Sequence, residues 1–420
     1  MRHAVAALIA SSLTLFADFA VLAAEKTTPE AMFEQRIMPI FKSPNPSSCV
    51  QCHLAGVDIK NYILPSAEKT FRSMRDQGLI DLKSPADSKI LKLIEMGQKD
   101  PKAPAIHANN RKAELEAFTA WIKACAADKT LSESPKLAEA EQAKPPVPDA
   151  VIRHARKDRL LESFERNIWA MRFRCMNCHT EGTPANDKYR KQFGDRVAWV
   201  RKGGSGETMN FLLESKLIDV KTPENSLLIQ KPLNAVKHEG GLKFAVGDQA
   251  HKSFRQWVED VAAIKSNAYQ KVADLPPVVK SPRAFGTELW LKVGNTPPAW
   301  GDKLLQVDVH ARTADGKGWE KTPIASTDRI VFGKGSMWQH TLTLFAEPGS
   351  DLAKKWANGK PFLPRGTYLL KAYVDANGRL KKDWKSPLTD KDFVGQVEIT
   401  ADWREGYGAM TAADGRQFRK

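Results

Sequence analysis

The sequence predicts two all-α domains in tandem followed by an all-β sandwich, and three observations predict it. A set of short motifs recurs in the same order within the first two thirds of the chain. Apolar positions there fall at helical spacing, and beyond residue 282 the period changes to two. A chain of 420 residues, 42% hydrophobic and 27% charged, has the length for two or three domains with cores of their own.

The N-terminal run comes first. Arg2 and His3 precede an apolar stretch from Ala4 to Phe16, and small residues follow at Ala23 and Ala24, the three regions of a secretory signal peptide. Residues 1–24 are expected to be removed, which leaves a periplasmic chain with no transmembrane span. The competing reading, an uncleaved anchor, is opposed by the short apolar stretch, which Asp18 breaks.

The repeat comes next. Phe33-Glu34-Gln35-Arg36-Ile37 returns as Phe164-Glu165-Arg166-Asn167-Ile168, and Leu79-Ile80-Asp81-Leu82-Lys83-Ser84-Pro85 with Ser88 returns as Leu217-Ile218-Asp219-Val220-Lys221-Thr222-Pro223 with Ser226. Each copy closes on an amphipathic segment around a tryptophan, Trp121 or Trp257. These intervals place one domain at 26–126 and a second at 151–265. The Pro-, Ala- and Glu-rich residues 127–150 form a linker, and 266–282 a second one.

Within each copy stands the pattern that carries chemistry. Cys49-Val-Gln-Cys52-His53 and Cys175-Met-Asn-Cys178-His179 are both CxxCH. Two residues between the thiols let one helical turn present both sulfurs to the vinyl groups of a haem, and the adjacent imidazole reaches the iron. A four-thiolate zinc site would leave the repeated histidine unexplained, and a redox dithiol normally occurs once. Two covalently attached haem c groups are therefore expected, held by Cys49 and Cys52 and by Cys175 and Cys178, with His53 and His179 on the irons. Cys125 is left without a partner and reads as a buried residue at a helix end.

The Phe-Glu-x-x-Ile lead-in to CxxCH, the Pro-x-x-Ser middle and the closing Trp helix resemble the planctomycete-type cytochrome c domain, over about residues 30–126 and 160–265. Class I cytochromes c, the wider group, are small all-α domains, so the resemblance implies that fold twice. Many members carry Met-Pro-Pro before the last helix. This chain instead has His107 and His238 there, 14 residues before Trp121 and 19 before Trp257. His107 and His238 are the expected sixth ligands, with Met96 the rival in the first copy and Met209 or His251 in the second. The alternative for both is a solvated loop histidine.

Beyond Pro282 the segments 287–293, 304–310, 340–345, 368–374 and 393–399 alternate as strands, with turn signals at Ala314-Asp315-Gly316 and Ala376-Asn377-Gly378. Residues 283–404 are expected to form an antiparallel sandwich, and 405–420 a tail. Pro364-Arg365-Gly366-Thr367-Tyr368 resembles an immunoglobulin-like module. In this modular reading a chain ending near Lys280 keeps its fold and both haems.

The net charge is +15, distributed as +1, +8 and +6 over residues 1–150, 151–282 and 283–420. For an exported haem protein that field suits an acidic redox protein, a dehydrogenase complex or an anionic membrane surface, and not nucleic acid. Arg153, Arg156, Lys157 and Arg159 read as a docking patch or as the solvated face of a helix. Electron transfer between periplasmic redox partners is the expected function. The alternative is a dihaem oxidoreductase such as a peroxidase, with one iron left open.

Overall fold

The computed structural model describes residues 27–96, 105–278, 281–333 and 336–420, the side chains of 105–109 excepted. The expected signal peptide lies outside the described residues. Among the described residues two compact units are present: 27–48 with 59–96 and 105–144, and 49–58 with the described residues from 145 to 420.

In the first unit Trp121, on the helix Ala105–Ala127, is fully buried. The rings of Phe33, Phe71 and Phe118 lie 5.5, 6.2 and 6.1 Å from it. Burying four aromatic side chains against one another supplies much of the apolar area that holds so small a helical unit. Cys125 is also fully buried there, and burial pushes its thiol up to about 12, so it is packed and inert.

The second unit repeats this arrangement with Trp257, on the helix Gln249–Lys265, against Phe164 at 5.2 Å. The repeat extends to single hydrogen bonds. The amide of Asp81 donates to Ser88 Oγ at 3.1 Å and that of Asp219 to Ser226 Oγ at 2.9 Å. Asp81 Oδ1 then accepts from Lys83 and Ser84, as Asp219 Oδ1 does from Lys221 and Thr222. Both serines are buried, which explains why these two positions stay Ser while their neighbours differ.

Seven strands follow: β1 (Arg283–Gly294), β2 (Leu304–His310), β3 (Ala325–Ile330), β4 (Met337–Ala346), β5 (Gly366–Val374), β6 (Phe393–Ala401) and β7 (Thr411–Asp414). They form one sheet in the order β6-β5-β2-β3-β4-β1-β7. All pairs are antiparallel except β1 with β7, which is parallel. The outer strands approach each other. Gln396 of β6 exchanges backbone hydrogen bonds of 2.7 and 3.0 Å with Arg419, just past β7. The result is a mixed sheet curled nearly into a barrel, with Trp300, Trp338, Trp356, Trp403 and Phe418 in its core.

This corrects the expected fold class. Among the described residues there is no two-sheet immunoglobulin-like sandwich, and they do not form two all-α domains with a β module appended. Alternation reveals which face of a strand is buried but says nothing about which strand pairs with which. It also misses β3, whose Ala-Ser-Thr-Asp-Arg-Ile sequence is polar yet whose first four residues are buried, and β7, which is only four residues long. The second helical repeat is not separate from the sheet either. Thr343 Oγ1 of β4 lies 3.7 Å from Met171 Sδ, and the backbone of Gly286 in β1 lies so close to Ala170 and Phe173 that a Cβ there would meet the Ala170 carbonyl oxygen at 2.0 Å.

Gly286 is thus required by a close approach. Gly286→Ala should cost about 1–3 kcal/mol by overpacking, read as a lower urea midpoint for the second unit. Likewise a chain ending at Val278 should lose the cooperative unfolding of residues 145–278. A truncated chain that melted like the intact protein would show that the sheet supports nothing.

Candidate functional site

The second CxxCH is delivered by a continuous run of local structure. The helix Lys157–Asn167 leads into the 3-10 turns Trp169–Arg174, and Met176–His179 then form a single helical turn. The amides of Cys178 and His179 both bond to the Cys175 carbonyl, at 3.3 and 3.1 Å. In the first copy Ser48–Gln51 is a 3-10 turn, and the Cys52 amide bonds to the Cys49 carbonyl at 3.3 Å.

Cys175, Cys178, His179 and His238 line one cavity of about 570 Å³. The two imidazoles have ring centroids 6.1 Å apart and planes 21° from parallel. The rest of the wall includes apolar Trp199, Leu217, Leu227, Leu228 and Val236, the cations Arg196, Lys231, Lys237 and Lys243, and Glu239, which pairs with Lys237 at 3.2 Å. The Trp199 ring lies 5.8 Å from that of His179.

Hydrogen bonds to the backbone set which nitrogen of each histidine is bare. His179 Nδ1–H donates to the Val197 carbonyl at 2.7 Å and His238 Nδ1–H to the Gly241 carbonyl at 2.9 Å. Each neutral ring therefore keeps its lone pair on Nε2, the arrangement in which metal-binding histidines are held by a second shell. Burial lowers the pKa of both, which favours the neutral ring. His238 is held by a tight turn. The Gly241 amide bonds back to the His238 carbonyl at 2.8 Å, with Gly241 at φ +64°. A Cβ on Gly240 would stand 3.0 Å from His238 Cε1, so the ring rests on a glycine.

The rival ligands lie elsewhere. His251 is buried and accepts the Gly247 N–H on Nδ1 at 3.2 Å, and burial lowers its pKa to about 4. Its proton is thus on Nε2, which removes the lone pair a metal needs. Neither His251 nor Met209 lines the cavity, and Met209 is packed in the core. Met96 is exposed.

The first motif is placed differently from the sequence expectation. Cys49–Asp58 belong to the same compact unit as the second motif. The Leu54 amide bonds to the Ala155 carbonyl at 3.0 Å and the Lys157 amide to the Cys52 carbonyl at 2.9 Å. His53 Nδ1–H donates to the Ile152 carbonyl at 3.3 Å, which again leaves Nε2 bare. His107 is in the first turn of the helix Ala105–Ala127, and its side chain lies outside the described residues. The structure therefore brings together Cys49, Cys52 and His53, and separately Cys175, Cys178, His179 and His238. The basic segment between them is largely paired: Arg156 with Asp158 at 2.6 Å and Arg159 with Asp260 at 2.7 Å.

Sequence reasoning missed what anchors the motifs. Arg174, just before Cys175, is buried between Asp248 at 3.0 Å and Asp328 of β3 at 2.8 Å. Asp248 also caps the helix Gln249–Lys265, accepting from the His251 amide at 2.6 Å. In the first copy Ser48, just before Cys49, donates its amide and hydroxyl to buried Glu114 of the closing helix. In each copy the residue before the motif thus bonds a carboxylate in or capping the final helix. No local signal marks these partners. The Gly-Gly after His238 was the one legible hint.

Cys175 is buried and its thiol is pushed up to about 12, unlike a reactive thiolate. Among the described residues no group of three or more His, Cys, Asp or Glu could hold a metal ion unaided, and no helix is long and apolar enough to cross a membrane. Comparison with known proteins returns no matching family, no similar curated protein and no similar solved structure.

The anchor is open to direct test. Arg174→Met leaves two buried carboxylates uncompensated and should destabilise the second unit by about 3–5 kcal/mol. Burial raises the Asp248 carboxyl from 3.8 to about 7, against the pull of Arg174. Between these values the folded chain holds a proton that the unfolded chain has lost, so stability falls as pH rises through the window. In Asp248→Asn the slope of unfolding free energy against pH should be shallower between about pH 4 and 7, measured by denaturant titration at each pH.

Proposed function

We propose that this chain is a c-type cytochrome that carries two covalently attached haems and passes electrons between redox partners. The observation that carries the reading is the pair His179 and His238, 6.1 Å apart in a cavity that also presents Cys175 and Cys178. A haem asks only two ligands of the protein, which suits a site where no larger cluster gathers. When bound, it supplies one-electron exchange at its iron.

The residues fit that group in each respect the cavity allows. Cys175 and Cys178 would hold it by thioether bonds, and His179 and His238 would supply its nitrogen ligands. Trp199, Leu217, Leu227 and Leu228 exclude water from the ring faces, while Arg196, Lys231 and Lys243 suit its carboxylates. Cys49, Cys52 and His53 would hold the second group; the side chain of His107, its expected sixth ligand, lies outside the described residues. Two histidines at the Cys175–Cys178 cavity would favour electron carriage there over peroxide chemistry, which needs an open iron.

The first motif bonds to residues 155–157, at the start of the 11-residue helix Lys157–Asn167, and the second follows its far end. That helix is about 16 Å long, so transfer between the two groups stays within one folded unit. The exported location expected from residues 1–24 and the positive charge complete the reading: a periplasmic carrier whose partner is an acidic redox protein or a dehydrogenase complex. With Arg156, Arg159 and Lys237 paired, Arg196, Lys231 and Lys243 at the cavity are the proposed docking face.

Absorption and magnetic spectra of His238→Ala test the ligand. The variant should turn one of two low-spin haems high-spin and open it to carbon monoxide, while His251→Ala should leave both low-spin. A purified protein without covalent haem would sink the proposal. An unchanged spectrum in the His238 variant would move the ligand elsewhere.

A further inference from the structure

A second cavity, of about 400 Å³, opens where the Trp169–Arg174 turns meet the start of β1 and the segment 356–361. It shares no lining residue with the His179–His238 cavity. Its volume suits one small organic molecule. Trp169, Phe173, Phe285 and Trp356 contribute aromatic wall.

Three cations line it, and two are already paired. Arg283 meets Glu165 at 3.0 Å and Lys360 meets Glu405 at 2.8 Å. Arg172 differs: among the described residues no carboxylate lies within ion-pair distance of it. Its guanidinium lies 4.1 Å from the Trp169 ring centroid and 4.5 Å from that of Phe173, and one N–H donates to the Trp169 carbonyl at 2.7 Å. Burial lowers its pKa to about 10, the sign of a cation that has left water without gaining a counter-ion. Five donors in a rigid fork, flanked by rings, are a receptor for a planar carboxylate.

We propose that this cavity binds a small aromatic monocarboxylate, with the carboxylate on Arg172 and the ring among Trp169, Phe173 and Trp356. One negative charge balances the one unpaired cation. A phosphate dianion would bring excess charge toward Glu165, Glu288 and Glu405, which also line the cavity. An aliphatic acid would leave the aromatic wall without a partner.

Calorimetric titration of the whole protein with benzoate tests this, and the heat it reads does not depend on haem. Benzoate should bind at one site, at least about tenfold more tightly than benzamide, which lacks the charge, or acetate, which lacks the ring. Arg172→Met should weaken benzoate about tenfold or more, whereas Lys360→Gln, at a cation already paired, should change it by less than about threefold. Equal affinity for benzoate and either control overturns the proposal, as does absence of heat up to about 20 mM. These wild-type comparisons decide it even if the Arg172 variant fails to fold.

Discussion

A single guanidinium, Arg174, stands between two carboxylates that belong to different parts of the fold. Asp248 caps the helix on which Trp257 sits, and Asp328 lies in β3. All three side chains are nearly shut off from solvent, a costly arrangement unless each is bonded, and here each is. Because Cys175 follows Arg174 directly, the position of the cavity is set by this buried contact and not by the helical turn of the motif alone.

The same logic recurs in smaller form at Ser48 and Glu114. A CxxCH turn is too short to fix its own orientation: one turn makes two hydrogen bonds to the Cys175 carbonyl and leaves its ends free to swing. A carboxylate reaching from the closing helix removes that freedom. Orientation of the histidines is then completed by backbone carbonyls, Val197 for His179 and Gly241 for His238, which fix the tautomer as well as the ring. His251, with the opposite tautomer, shows how much this bond decides: a more deeply buried imidazole nearby in sequence is chemically unsuited to the role.

The sheet is more than an appended module because it supplies part of the packing on which the second repeat relies. Gly286, Thr343 and Asp328 touch the turns that precede Cys175 from three different strands. A curled sheet with one parallel strand and its final residues bonded back to β6 presents such a surface more rigidly than an open edge would. Trp300, Trp338, Trp356 and Trp403 lie in its interior.

The sequence by itself determined the parts that depend on neighbours along the chain. The repeat, the two CxxCH turns, the five alternating strands and the nomination of His238 before the closing helix all rest on spacing, which local geometry obeys. Strand pairing, the curl of the sheet and the merging of the second repeat with it were decided only by tertiary structure, because alternation does not choose partners. The anchors belong with these. Arg174 finds its carboxylates 74 and 154 residues away, and Ser48 finds Glu114 at a distance of 66. At such separations, which charge meets which is fixed by the packing of the whole unit and leaves no pattern in the residues beside it.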